Sequence, residues 1–107
     1  MSKRDDKAWM GDVASLGCIA CRLRGYGETP AEVHHIRNGQ GMSQRADAKE
    51  TIPLCPPHHR GTAGPIVPSI HLQKKRFERE FGTELELLAQ TVREVEFLRA
   101  NRIGGSL

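Results

Sequence analysis

The sequence predicts an α+β fold: one small domain in which two short knuckles and a β-hairpin are flanked by helices. Three observations carry this expectation. Cys18-Ile19-Ala20-Cys21 and Cys55-Pro56-Pro57-His58 repeat the same two-residue gap, the layout of a closed tetrahedral zinc site. Two β-type runs, Ala31–Ile36 and Thr51–Leu54, bracket a polar, glycine-bearing stretch, as the arms of a hairpin do. Helical periodicities lie on both sides of this central region.

The size of the chain makes the metal matter. With 107 residues, 37% of them hydrophobic and 5% aromatic, it forms one domain over 1–107 with a modest core. Bound zinc then contributes to folding, and a chelator should loosen the structure. Residues 1–6 and 103–107 are expected to be loose tails. Sixteen basic against thirteen acidic side chains give a charge of +3 and a pI near 9.0. That excess permits a polyanionic partner without demanding one. Three cysteines, two of them in CxxC spacing, point to metal binding in a reducing compartment over a disulfide framework. The N-terminal stretch lacks the apolar run of a signal peptide, and no stretch could span a membrane. A cytoplasmic location is the expectation.

In chain order, Trp9, Met10, Val13 and Leu16 fit an amphipathic helix from about Asp6 that Gly17 ends. The first knuckle follows, and the glycines of Arg22-Leu23-Arg24-Gly25-Tyr26-Gly27 let the chain turn back. In the strand Ala31–Ile36, Val33 and His35 face one side and His34 and Ile36 the other. Residues 37–50 lack either period and read as an exposed, arginine-bearing loop suited to substrate contact. Thr51–Leu54 is the returning strand, and the second knuckle closes the hairpin. Ser69 is the expected N-cap of a helix Ile70–Phe81, with Ile70, Phe77 and Phe81 on one face. Thr83 and Glu86 form a capping box for a last helix to about Arg102, with a stripe of Leu85, Leu88, Val92 and Val95.

The chemistry concentrates in the cysteines and histidines. Cys18, Cys21 and Cys55 need a fourth ligand, and spacing favours His58 over His59 without settling it. Adjacent residues on a tight turn point in different directions, so the other histidine is free for a second ion. His34 and His35, with His59 and His71, make a histidine-rich set able to hold that ion with open positions for a phosphodiester. Taken alone, His34-His35 reads better as a pair on an edge strand; the other histidines reverse that weighting. His71 could equally be a solvated residue of a first helical turn. Lys74, Lys75 and Arg76 are candidates for nucleic-acid phosphate, although a solvated helix face explains them as well. Arg37, Arg45 and Arg60 compete for that role. The residues together read as a metal-dependent nuclease. A non-catalytic zinc module that binds nucleic acid or protein is the alternative, and a protein that dimerises through its last helix is a second one.

At Val33-His34-His35-Ile36 and Ile52-Pro53-Leu54-Cys55-Pro56-Pro57-His58-His59, with CxxC upstream, the chain resembles the HNH, or ββα-metal, endonucleases. The runs Gly17–Arg22, Glu32–Arg37, Gly39–Ala46, Glu50–Cys55 and Phe81–Ala89 extend the likeness to the phage recombination-enhancement (Ref) nucleases, RecA-dependent enzymes, over about residues 14 to 92. The resemblance implies a zinc-stabilised HNH domain with flanking helices and a phage or prophage DNA endonuclease that acts with a RecA filament. It implies structural Zn2+ and catalytic Mg2+ or Mn2+, with Zn2+ as another occupant of the second site. By position, His34 and His59 would be catalytic-metal ligands, His35 the general base, and His71 the later histidine of the Ref pattern. The HNH asparagine is matched by Thr51, so its orienting role falls to that residue or to another group such as Asn38.

Overall fold

The computed structural model describes residues 3–36 and 47–104, the last two as backbone alone. The order is α1 (Lys3–Ser15), α2 (Ile19–Leu23), β1 (Glu32–His35), β2 (Thr51–Leu54), α3 (Pro56–Arg60), α4 (Lys74–Phe81) and α5 (Glu84–Gly104). This is a small α+β arrangement of a two-stranded sheet with helices before and after it.

The hairpin is antiparallel, pairing Glu32 with Leu54, Val33 with Pro53, His34 with Ile52 and His35 with Thr51. The Ile36 N–H donates to the Glu50 carbonyl at 3.0 Å, which makes that pair hydrogen-bonded and, by alternation, leaves Val33 and Pro53 as a non-bonded pair. A proline tolerates that position because its missing N–H would point away from the partner strand. Every residue of β2 is buried. One face of the ribbon, with Ile36, Ile52 and Leu54, joins Ile19, Ile70, Phe77 and Leu87 in the main core around the three cysteines. Val33, on the other face, packs with Trp9, Val13 and Val95 from α1 and α5. A ribbon covered on both faces is how a two-stranded sheet becomes stable.

Four expectations shift. The first helix begins at Lys3, not near Asp6, so 3–6 are part of it. Asp5 and Asp6 lie in its first turn, where the helix dipole favours acid. The helix expected from Ile70 begins at Lys74. Ser69 instead closes a turn, its Oγ accepting from Leu72 N–H at 3.2 Å and its carbonyl from Gln73 N–H at 2.8 Å. The Thr83 and Glu86 capping box is present, with bonds of 2.8 and 3.1 Å. The buried side of α5, however, carries Glu84, Leu87, Thr91 and Val95, while Leu85 is 54% exposed. The loop after β1 is described from Asp47 on. There Asp47 accepts from Lys49 N–H at 2.8 Å and Ala48 is buried, so the end of the loop packs against the domain. Arg37, Asn38 and Arg45 lie outside the described residues.

Candidate metal centres

Cys18 sits at the N-cap of α2, and its sulfur accepts the Cys21 N–H at 3.4 Å. Gly17 at φ +80° and the bond from Cys18 N–H to the Thr29 carbonyl turn the chain into this knuckle. Cys55 precedes α3, whose Pro56 and Pro57 occupy first-turn positions that need no donor. One helical turn then brings His58 beside Cys55.

His58 Nδ1 lies 3.3 Å from Cys55 Sγ, 3.6 Å from Cys21 Sγ and 3.7 Å from Cys18 Sγ, and Cys21 and Cys55 are 3.7 Å apart. A tetrahedral ion at about 2.3 Å from sulfur and 2.0 Å from nitrogen sets sulfurs about 3.8 Å apart and sulfur and nitrogen about 3.5 Å apart. The four buried donors fit that demand and could hold a metal such as zinc. Burial pushes the Cys55 thiol up to about 12 and raises Cys18, while it lowers His58. Without an ion Cys18 and Cys55 would keep their protons, so metal uptake must release them.

The second group is His34, His59 and His71, each offering a nitrogen within 4.8 Å of the others. Their ring centroids are 4.7, 5.0 and 5.2 Å apart. Consecutive residues of α3 differ by about 100° in direction, so His58 turns to the cysteines and His59 to His34. The end of α3 also places His71. The carbonyls of His58 and His59, unpartnered within so short a helix, accept from Ile70 N–H at 2.8 Å and His71 N–H at 3.3 Å. His34 is buried, His59 half-buried and His71 exposed, so the group opens to solvent on one side. Three imidazoles suit a borderline transition ion better than Mg2+, which prefers oxygen.

Two carboxylates that the sequence reasoning passed over back this group. Glu84, 7% exposed, lies 2.7 Å from His34 Nε2, and Glu32 lies 2.8 Å from His59 Nδ1. Burial raises the Glu84 carboxyl, but hydrogen bonds from His34 and Lys74 outweigh it and hold the group below its usual value. The Arg60 and His59 hydrogen bonds bring Glu32 down to about 2. Burial lowers His34 despite Glu84. Glu32 was legible in principle, since 32, 34 and 36 share one face of β1. Glu84 was not, because in sequence it is simply an acid in a first helical turn.

His35, half-buried, points to the face of β1 opposite His34 and is outside the three-imidazole group. Thr51 is buried, and its hydroxyl donates to the Ala48 carbonyl at 2.8 Å. The Arg60 guanidinium grips Glu32 with bonds of 2.9 and 2.7 Å. Lys74 Nζ lies 3.2 Å from Glu84 Oε1, and Lys75 is exposed. Arg76 pins the preceding loop through the carbonyls of Pro65 and Ile66. No helix among the described residues is long and apolar enough to cross a membrane. A family model described as recombination enhancement, RecA-dependent nuclease matches residues 3–96. No curated protein matches the chain.

Proposed function

Because the chain belongs to the recombination-enhancement, RecA-dependent nuclease family, we propose that it is a metal-dependent DNA endonuclease of HNH type, of phage or prophage origin, acting with a RecA filament in recombination. The observation that carries the reading is the convergence of His34, His59 and His71 beside the separate cluster of Cys18, Cys21, Cys55 and His58. The order of hairpin and short helix, with a histidine pair on β1 and another on α3, supports an HNH-type reading.

In this reading the cysteine cluster holds structural Zn2+, locking α2 to the hairpin exit. The three imidazoles hold a catalytic divalent ion, with Mn2+ or Zn2+ a better match to nitrogen donors than Mg2+. When bound, that ion supplies charge stabilisation at the scissile phosphate and the leaving oxygen. His35, next to His34 in sequence but on the opposite face of β1, is the residue assigned to take a proton from the attacking water. Arg60 and Lys74 are engaged by carboxylates, which favours exposed Lys75 among the described candidates for the DNA backbone, with Arg37 and Arg45 the candidates that the sequence offers.

The test is cleavage of single-stranded and RecA-coated DNA by the His35→Ala variant with Mn2+ present. We expect a loss of about 100-fold or more, with metal content unchanged. Undiminished cleavage removes His35 from the mechanism.

A further inference from the structure

Two ionic chains end on the histidine group. On one, Lys74 of α4 meets Glu84 of α5, which meets His34 of β1. On the other, Arg60 of α3 grips Glu32 of β1, which meets His59 of α3. Each pairs a cation, a carboxylate and an imidazole in that order, and each reaches a histidine of the same group.

Neither carboxylate belongs to the set of converging donors, and separations of 2.7 and 2.8 Å to the ring nitrogens are hydrogen-bond lengths. A carboxylate beside a lysine or arginine is ionised and can only accept. The proton between the partners therefore sits on the imidazole, at Nε2 of His34 and Nδ1 of His59. The nitrogen left with a lone pair is then Nδ1 in His34 and Nε2 in His59.

Resting on the reading that His34, His59 and His71 hold a divalent ion, we infer that Glu84 and Glu32 are positioning residues that fix His34 to ligate through Nδ1 and His59 through Nε2. Glu84 is the more telling of the two, because it is buried and comes from a distant helix. Fixing the tautomer removes the competing form that would aim a proton at the ion, and the negative partner makes each imidazole a better donor. It also ties the start of α5 to the centre, so occupancy of the histidine group and seating of the last helix support each other.

The experiment uses the full chain and Co2+ as the probe, since thiolate-to-cobalt absorption reports the cysteine cluster apart from the histidine group. The Glu84→Gln variant should bind Co2+ at the histidine group about tenfold more weakly, and Glu84→Ala about 100-fold, with the thiolate absorption unchanged. In the unsubstituted protein, two-bond 15N correlation spectra should show His34 protonated at Nε2 and His59 at Nδ1. Unchanged second-site affinity in Glu84→Gln overturns the inference while leaving the metal centre intact. If the variants fail to fold, the spectrum decides, and a His34 protonated at Nδ1 overturns the inference. Uptake of a single Co2+, on the thiolates alone, overturns the metal reading beneath it.

Discussion

Gly61 ends α3 at φ +80°, and its N–H donates to the Pro57 carbonyl at 3.2 Å. A Cβ there would stand 2.6 Å from Leu72 Cδ1 and 3.1 Å from Ser69 Oγ. The leucine tip can swing aside, so the left-handed backbone is the larger cost. We expect Gly61→Ala to destabilise the protein by about 1 kcal/mol, read as a lowered melting temperature. The same residue separates His59 from the turn that carries His71, so loosening it should also weaken metal binding at the histidine group. Arg60, its neighbour, illustrates how position within a site changes a role. Sequence offers it as a phosphate contact, whereas the fold gives its guanidinium to Glu32 and so to the far side of His59.

At the scale of elements, α5 divides what could be read from what could not. Its start was legible, because a capping box is a local exchange of two hydrogen bonds. Its buried face was legible in part: Leu88, Val92 and Val95 pack against the two clusters as their spacing implies, and Leu85 does not. Glu84 and Thr91 occupy inward positions, so the buried side is written partly in polar residues, and the apolar pattern drifts toward Leu85. Leu87→Ala should therefore cost about 2–4 kcal/mol, and Leu85→Ala less than about 0.5 kcal/mol, a contrast that urea unfolding measures. The late start of α4 has a similar origin: Ile70 and His71 spend their N–H groups on the carbonyls of α3, a partner no local pattern announces. The hairpin and both knuckles were legible, since alternation and two-residue gaps are local. Spacing left open which of His58 and His59 joins the cysteines, and in the fold it is His58, with His59 beside His34 and His71.

Helix α1 meets α5 through Asp12, which accepts from Arg99 at 2.8 Å and Arg102 at 2.9 Å. Burial raises the Asp12 carboxyl, but these two arginines outweigh it and leave the group below its ordinary 3.8. A carboxyl lowered in the folded state adds stability above its unfolded value and loses it as pH falls through the folded one. Asp12→Asn should cost about 1 kcal/mol at pH 7, and the gap from the unsubstituted protein should narrow as pH drops below 3.8. Thermal melts across that range check the sign.

For the whole molecule, two small apolar clusters lie on opposite faces of one ribbon, and the cysteines sit inside the larger. A core of that size is modest, which is why an ion among four buried donors would matter to folding as well as to shape. The histidine group is built from β1, α3 and the turn after it, and it reaches solvent through the exposed His71. Scaffold and candidate chemistry thus share α3, with His58 facing one group and His59 the other. The most direct test of that division is an anomalous-difference map from crystals grown with Zn2+ and collected at the zinc edge. We predict two peaks per chain, one enclosed by Cys18, Cys21, Cys55 and His58 and one bounded by His34, His59 and His71. A single peak at the cysteines, with the imidazoles apart from any ion, would contradict it.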